Sequence, residues 1–292
     1  MAVAMTDLRN LVAAELAEPV DPRVAAMAAA VAALYPEAAR AVLFYGSCLR
    51  ERELDGLMLD FYLIVSDYRS AYGRGWFAFA NRLVPPNVFP FEHDGLAAKY
   101  AVLSEADFFQ LNGAEASTVS VWARFAQPSR LVWAADEVAR EKSVAAVARA
   151  APTLLGFALP MVPPGADPLD IWRRGFELTY GSELRAERRG RSASIVEDDP
   201  ERYRRFAAAA MPETGPADAA KRWRGFRWRG KPMSLVRLAK ATTTYAGGVD
   251  YLAWKINRHA GTRIEVRPWQ RRWPILGALT LLPRLLRRGA IR

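Results

Sequence analysis

The stretch AVLFYGSCLRERELDGLMLDFYLIV, residues 41–65, decides how the chain is read. Residues 41–45 (AVLFY) form a continuous apolar run closed by Gly46-Ser47, and residues 57–65 (LMLDFYLIV) form a second run interrupted only by Asp60. Short unbroken runs of this kind, rich in aliphatic and aromatic residues and bounded by glycine, are the pattern of strands buried on both faces. A carboxylate inside such a run is costly to bury without a partner. Asp60 is therefore either a functional group or a strand-end residue satisfied by a backbone or arginine partner, and spacing alone weighs the two about equally.

Working outward, Thr6-Asp7 opens an Ala/Leu-rich helix to Leu16. Asp21-Pro22 opens a second over 23–34, with the proline in the first turn, where its missing N–H does no harm. On the C-terminal side, residues 97–103 (AAKYAVL) make a third apolar run, and Ser104-Glu105 supplies an N-cap for a helix through Leu111. Strand, helix and loop alternate to about residue 135, so the expected fold class is α/β or α+β. A helix over 137–151 leads into a mostly helical region, with helices at 170–178, after Pro200 and over 234–251, and a loop at 211–217. The expected organisation is a first domain at 1–150, a smaller helical or winged-helix-like domain at 151–262 and a basic tail at 263–292.

Composition narrows the classes. Of 292 residues, 51% are hydrophobic and 25% charged, which excludes disordered and collagen-like chains. The single cysteine, Cys48, excludes an intrachain disulfide framework and favours a reducing compartment. Two histidines and one cysteine leave too few ligands for zinc. The longest apolar windows, 151–165 and 275–283, are broken by prolines or fall short of the ~20 residues of a membrane span, so no transmembrane helix and no secretory signal is expected. The net charge of +10 is unevenly spread. From Lys221 onward lie 18 of the 41 basic residues but only two acids, Asp250 and Glu265, so this section carries +16 and the first 220 residues −6. Such a split points to a polyanionic surface as partner.

The order apolar strand, Gly46-Ser47, polar connection and apolar strand with one acid resembles nucleotidyltransferases of the polymerase-β type. In that arrangement a Gly-Ser turn lets backbone amides approach a triphosphate, and the acid on the next strand holds Mg²⁺. The superfamily places a second acid two residues later, on the same strand face. Here that position is Tyr62, and Asp55, Asp67 and Asp94 are the candidates to replace it.

Three further blocks sharpen the resemblance: MLDFYLIVSD (58–67), HDGLAAKYAVLS (93–104) and LTYGSELR (178–185). With the Tyr45–Ser47 turn, their order resembles the mitochondrial translocator-maintenance type of phosphatidate cytidylyltransferase, a peripheral CDP-diacylglycerol synthase family. The similarity covers most of 40–200 and the basic C-terminus. The chain departs from the pattern at Cys48, in the stretch 69–91 and at Ser182-Glu183. The resemblance implies Gly46 and Ser47 at the triphosphate, Asp60 as metal ligand, Asp94 as a second acid and Lys99 as a phosphate contact. It also implies that Glu183 and Arg185 reach toward nucleotide or lipid phosphate. The bland alternatives are a surface strand residue for Lys99 and an ordinary helix charge for Arg185.

Two basic segments follow. Residues 221–231 (KRWRGFRWRGK) alternate cations with Trp223, Phe226 and Trp228, which suits a phospholipid headgroup, a single-stranded nucleic acid or a plain solvated loop. In 275–288, Ile275, Leu279, Leu282, Leu285 and Leu286 cluster on one helical side and Arg284, Arg287 and Arg288 on the other, an interfacial pattern that Pro283 divides. The alternative for this tail is a terminal helix docked on the core.

The resemblance thus implies an enzyme making CDP-diacylglycerol and pyrophosphate from CTP and phosphatidic acid, with Mg²⁺. It would work as a peripheral protein on the cytoplasmic face of an anionic membrane held by the C-terminal amphipathic helix, with nucleic acid not the expected partner. The rivals are a soluble nucleotidyltransferase acting on RNA or a small alcohol, and a non-catalytic lipid-binding protein of the same fold.

Overall fold

A computed structural model describes residues 2–50, 54–73, 75–183, 191–244 and 266–269. Helices α1 (Ala2–Leu16) and α2 (Pro22–Ala33) precede β1 (Ala39–Tyr45). The Asp21 carboxylate accepts from Arg23 N at 2.8 Å and caps α2, as its spacing predicts. A short 3₁₀ turn (Ser47–Arg50) and a loop separate β1 from β2 (Met58–Val65). Then come α3 (Tyr68–Tyr72), α4 (Trp76–Leu83), β3 (Asn87–His93) and β4 (Leu96–Ser104). Helix α5 (Glu105–Leu111) starts on the expected cap, Ser104 Oγ accepting from Asp107 N at 3.1 Å. After α6 (Trp122–Phe125) and β5 (Ser129–Ala134) the described chain is helical: α7 (Glu137–Val147), α8 (Ala150–Ala158), α9 (Pro168–Ser182), α10 (Arg191–Glu197), α11 (Pro200–Ala210) and α12 (Ala219–Thr244).

The five strands form one mixed sheet in the order β3-β4-β2-β1-β5. β2 and β4 run parallel, and the other three pairs are antiparallel. The three apolar runs of the sequence are the three inner strands, buried on both sides. One face, with Val42, Phe44, Phe61, Leu63, Tyr100 and Val102, packs on Val24, Met27 and Val31 of α2. The other face, with Ala41, Leu43, Tyr62, Ile64, Ala101 and Leu103, meets α1, α5, α6 and the later helices in a second cluster that continues to Trp223 and Phe226 of α12. Side chains alternate along a strand, so Asp60 and Lys99 share the face of Tyr62 and Ala101 and look toward the helices.

Buried polar contacts fix the helical layer. Trp172 Nε1 donates to Tyr203 O at 3.0 Å and Trp223 Nε1 to Phe157 O at 2.9 Å, satisfying two fully buried indoles. Arg202 of α11 donates through Nε and Nη2 to the two carboxylate oxygens of Glu15 in α1, and through Nη1 to Ala126 O at 3.1 Å. Both residues of this pair are buried.

Several expectations need correction. The run 221–231 is the first half of α12, not an open basic–aromatic strip: Trp223 and Phe226, three residues apart, are core residues, and only Trp228 stands out, 83% exposed. The helix expected over 137–151 breaks at 148–149 into α7 and α8. The stretch Glu137–Met161 is, by length and composition, long and apolar enough to cross a membrane, a test that the core helix of a folded domain also passes. Pro152 sits in the first turn of α8, where it is tolerated, and 61% of the apolar window is buried inside the protein. No strand occurs after Ala134 among the described residues, so none of them forms the strands of a wing. The tail from residue 270, with its amphipathic pattern, lies outside the described residues.

Candidate functional site

Strand β1 ends beside the acid on β2. Tyr45 pairs with Asp60 across the antiparallel ladder, and Gly46 leaves the sheet with φ +96°. A Cβ on Gly46 would lie 3.4 Å from Asp60 Oδ2. Glycine is favoured here by the backbone conformation, while a Cβ would stand in ordinary contact with the carboxylate. On the other side of β2, Asp60 pairs in parallel register with Lys99, whose Nζ lies 3.0 Å from Asp60 Oδ1. Oδ1 is buried and receives no aligned hydrogen bond among the described residues.

The helices supply the rest. Arg124 of α6 is partly buried over this face and donates to Ser120 O. Burial alone would loosen its proton, but the pull of Tyr62, Glu183, Tyr45 and Asp60 leaves its pKa raised. The Tyr45 phenol is pushed well above its ordinary value, first by burial and then by Asp60. Glu183 follows the last residue of α9 and is buried. Arg237 of α12 approaches it, Nη1 lying 3.8 Å from Glu183 Oε1. Arg237 also donates to Ser120 Oγ at 2.8 Å and to Pro85 O at 3.0 Å, and burial depresses its pKa. Lys240, one turn further, donates to Val84 O, and burial followed by the charge of Arg237 lowers its pKa to about 7. Helix α12 reaches this position because Gly230 crosses against Ser182 O, where any Cβ would collide.

Of the residues expected at the site, Gly46, Asp60 and Lys99 come together directly, and Glu183 joins them through its interaction with Arg124. Ser47 opens the exposed turn after Gly46. Asp94 is not brought into this group. It occupies the tip of the β3–β4 hairpin with φ +47°, its side chain 74% exposed and 3.5 Å from His93 Nε2. Five residues before Lys99 on an extended chain, it lies on the order of 15 Å along the strand from the level of Asp60. The other candidates for a second acid are also elsewhere: Asp55 pairs with Arg23 at 3.0 Å, and Asp67 caps α3 by accepting from Arg69 N and Ser70 N. Arg185 lies outside the described residues. Sequence reasoning missed Arg124, Arg237 and Lys240. Arg237 and Lys240 stand three apart and so share a helix face, but nothing local marks that face as the one turned to the sheet.

The group thus holds Lys99 beside Asp60, with Arg124 and Arg237 about Glu183, a cationic setting suited to a phosphorylated ligand, while Lys240 stands further along α12 against Val84 O. For Mg²⁺ the donor set is sparse: no group of three or more His, Cys, Asp or Glu forms among the described residues. An ion held by one carboxylate, substrate phosphates and water needs no such cage. Asp60, with a buried oxygen lacking an aligned hydrogen bond, fits that role. No protein-family model matches the chain, and no curated protein matches it.

Proposed function

We propose that the protein is a nucleotidyltransferase of the polymerase-β type that joins CTP and phosphatidic acid into CDP-diacylglycerol and pyrophosphate at a membrane surface. The supporting observation is the placement of Asp60 against the Gly46 turn, paired with Lys99 and facing Arg124. The open turn at Gly46 and Ser47 would receive the triphosphate through backbone amides. Asp60 would hold Mg²⁺, which would neutralise charge on the phosphates. Lys99 would exchange its partner carboxylate for a phosphate oxygen, while Arg124 and Arg237 hold the second phosphate-bearing substrate. An oxygen of the phosphatidate phosphate would attack the α-phosphorus of CTP as the bond to the bridging oxygen breaks and pyrophosphate leaves. That phosphate is already ionised at neutral pH, so the protein's task is positioning and charge neutralisation, with no strong general base.

Purified protein incubated with labelled CTP, Mg²⁺ and phosphatidate vesicles tests this directly. CDP-lipid from the parent and none from Asp60→Ala is the expected result; no product from the parent, or equal product from both, overturns it.

One rival has its own support. Tyr62 stands where the superfamily has its second acid, and Lys99 already neutralises Asp60, which would suit a non-catalytic protein that binds a lipid phosphate. It predicts phosphatidate binding with no consumption of CTP, and the same assay separates the two.

A further inference from the structure

Helix α4 turns large apolar side chains to water. Its inner side is held by a polar residue: buried Asn81 donates from Nδ2 to Val102 O of β4 at 2.8 Å, and its Oδ1 accepts from Asn87 N. Asn87 in turn donates to Phe77 O at 3.0 Å. Its outer side carries Trp76, Phe79 and Leu83, exposed by 59%, 59% and 67%. At about 100° per residue these three fall within roughly 60° of each other, with exposed Arg82 beside them. The Trp76 and Phe79 rings lie 5.9 Å apart and form one continuous apolar ridge. The inner side also packs Phe77 on Phe89 and Ala78 on the sheet's own cluster, so the helix is apolar on both sides and its outer ridge marks an interaction surface.

The surrounding charge chooses the partner. From Tyr68 to Phe91 the chain contains no Asp or Glu and three arginines, at 69, 74 and 82. A ridge of Trp, Phe and Leu set in a purely cationic stretch matches a bilayer with anionic headgroups, the apolar side chains entering the acyl boundary and the arginines staying with the phosphates. The ridge also leads to the site. Val84 and Pro85, which follow α4, accept the hydrogen bonds of Lys240 and Arg237.

We infer that α4 is a membrane-inserting element, docking the protein on anionic lipid through Trp76, Phe79 and Leu83. This surface requires no nucleotide chemistry, so it can fail while the transferase reading stands, and the reverse.

The test is flotation of the full chain with phosphatidylcholine vesicles, with and without phosphatidylglycerol, in the absence of CTP. The triple variant Trp76→Ser/Phe79→Ser/Leu83→Ser is expected to lose at least tenfold in partition onto anionic vesicles while melting at the parent's temperature. Unchanged partition overturns the inference. So does a clearly lower melting temperature in dilute, lipid-free solution, which would mean that the chain itself or a second copy covers the ridge. A second measurement does not depend on that variant folding. Trp76→Phe keeps the ridge apolar, so it should bind vesicles like the parent but lose part of the tryptophan quenching produced by lipids brominated in their acyl chains. Equal quenching in Trp76→Phe and parent also overturns the inference.

Discussion

Asp60 and Lys99 stand opposite one another in parallel register across β2 and β4, and a 3.0 Å ion pair joins their side chains. The pair is partly open to solvent, so its worth to stability is small. Its worth to chemistry should be large, because loss of a preorganised group at a phosphoryl centre commonly costs about 100-fold or more. Asp60→Asn is therefore expected to reduce CDP-lipid formation at least about 100-fold while shifting the denaturation midpoint little. A variant that keeps the parental rate in the labelled-CTP assay removes Asp60 from the mechanism.

Gly46 tests the turn separately from the acid. Alanine there must adopt φ +96° with its Cβ 3.4 Å from Asp60 Oδ2. Strain of this kind costs on the order of 1–3 kcal/mol, so Gly46→Ala should lower the urea midpoint and also weaken CTP binding. Binding at parental strength, measured by calorimetry, would show that the turn does not contact nucleotide.

Arg124 and Glu183 are expected to be energetically coupled, since Glu183 is among the charges that raise the Arg124 pKa. A cycle of Arg124→Met, Glu183→Gln and the double variant should return a coupling of about 1–3 kcal/mol in chemical denaturation. Strict additivity would mean that the two groups merely share a neighbourhood.

Lys240 makes the fold pH-sensitive in a defined direction. Its pKa is lowered from 10.5 to about 7, first by burial and then by Arg237. Between those values the unfolded chain holds a proton that the folded chain lacks, so stability rises with pH across the window, by at most about 1.4 kcal/mol per pH unit. Below the window, the folded protein carries the full cost of a buried charge. Lys240→Met should flatten this dependence, stabilising the protein at about pH 6 and doing so progressively less toward pH 10. Parallel stability curves for parent and variant over that range would refute the assignment.

The Glu15–Arg202 pair is buried, so removing one partner leaves an uncompensated charge. Arg202→Met is expected to cost about 3–5 kcal/mol, and Glu15→Leu added to it should restore much of that loss. Thermal melts of the single and double variants decide the matter, and a double variant as weak as the single would point to lost packing instead.

The central strands β1, β2 and β4 were legible because burial on both faces writes an unbroken apolar run. Strand β3 was hidden by Pro90, which an edge strand can accommodate, and β5 is only six residues long. The same logic divides the site. Gly46 and Asp60 could be paired from sequence because a short connection joins adjacent strands, whereas Lys99 was reached only through the family resemblance, its apolar run marking the strand but not the role. Arg124, Arg237 and Lys240 reach the sheet only through helix packing over more than twenty residues of separation, which no local pattern encodes. Asp94 misled because closeness to β4 in sequence says nothing about which end of the strand it occupies. In 221–231 the density of arginines hid the three-residue spacing of Trp223 and Phe226 that puts this face of α12 in the core.

The contact between Glu15 and Arg202 joins residues separated by 187 positions. During synthesis, α1 emerges from the ribosome long before the partner that neutralises its buried acid has been made. Its apolar face, Leu8, Val12 and Leu16, can pack earlier on β5 and α7 and gains α11 last. Glu15 is thus the last group of α1 to find its partner, and the N-terminal helix is sealed by Arg202, made 187 residues later. Truncation before α11 is expected to leave the Glu15 carboxylate without the guanidinium that neutralises it, a defect that a lower melting temperature would report.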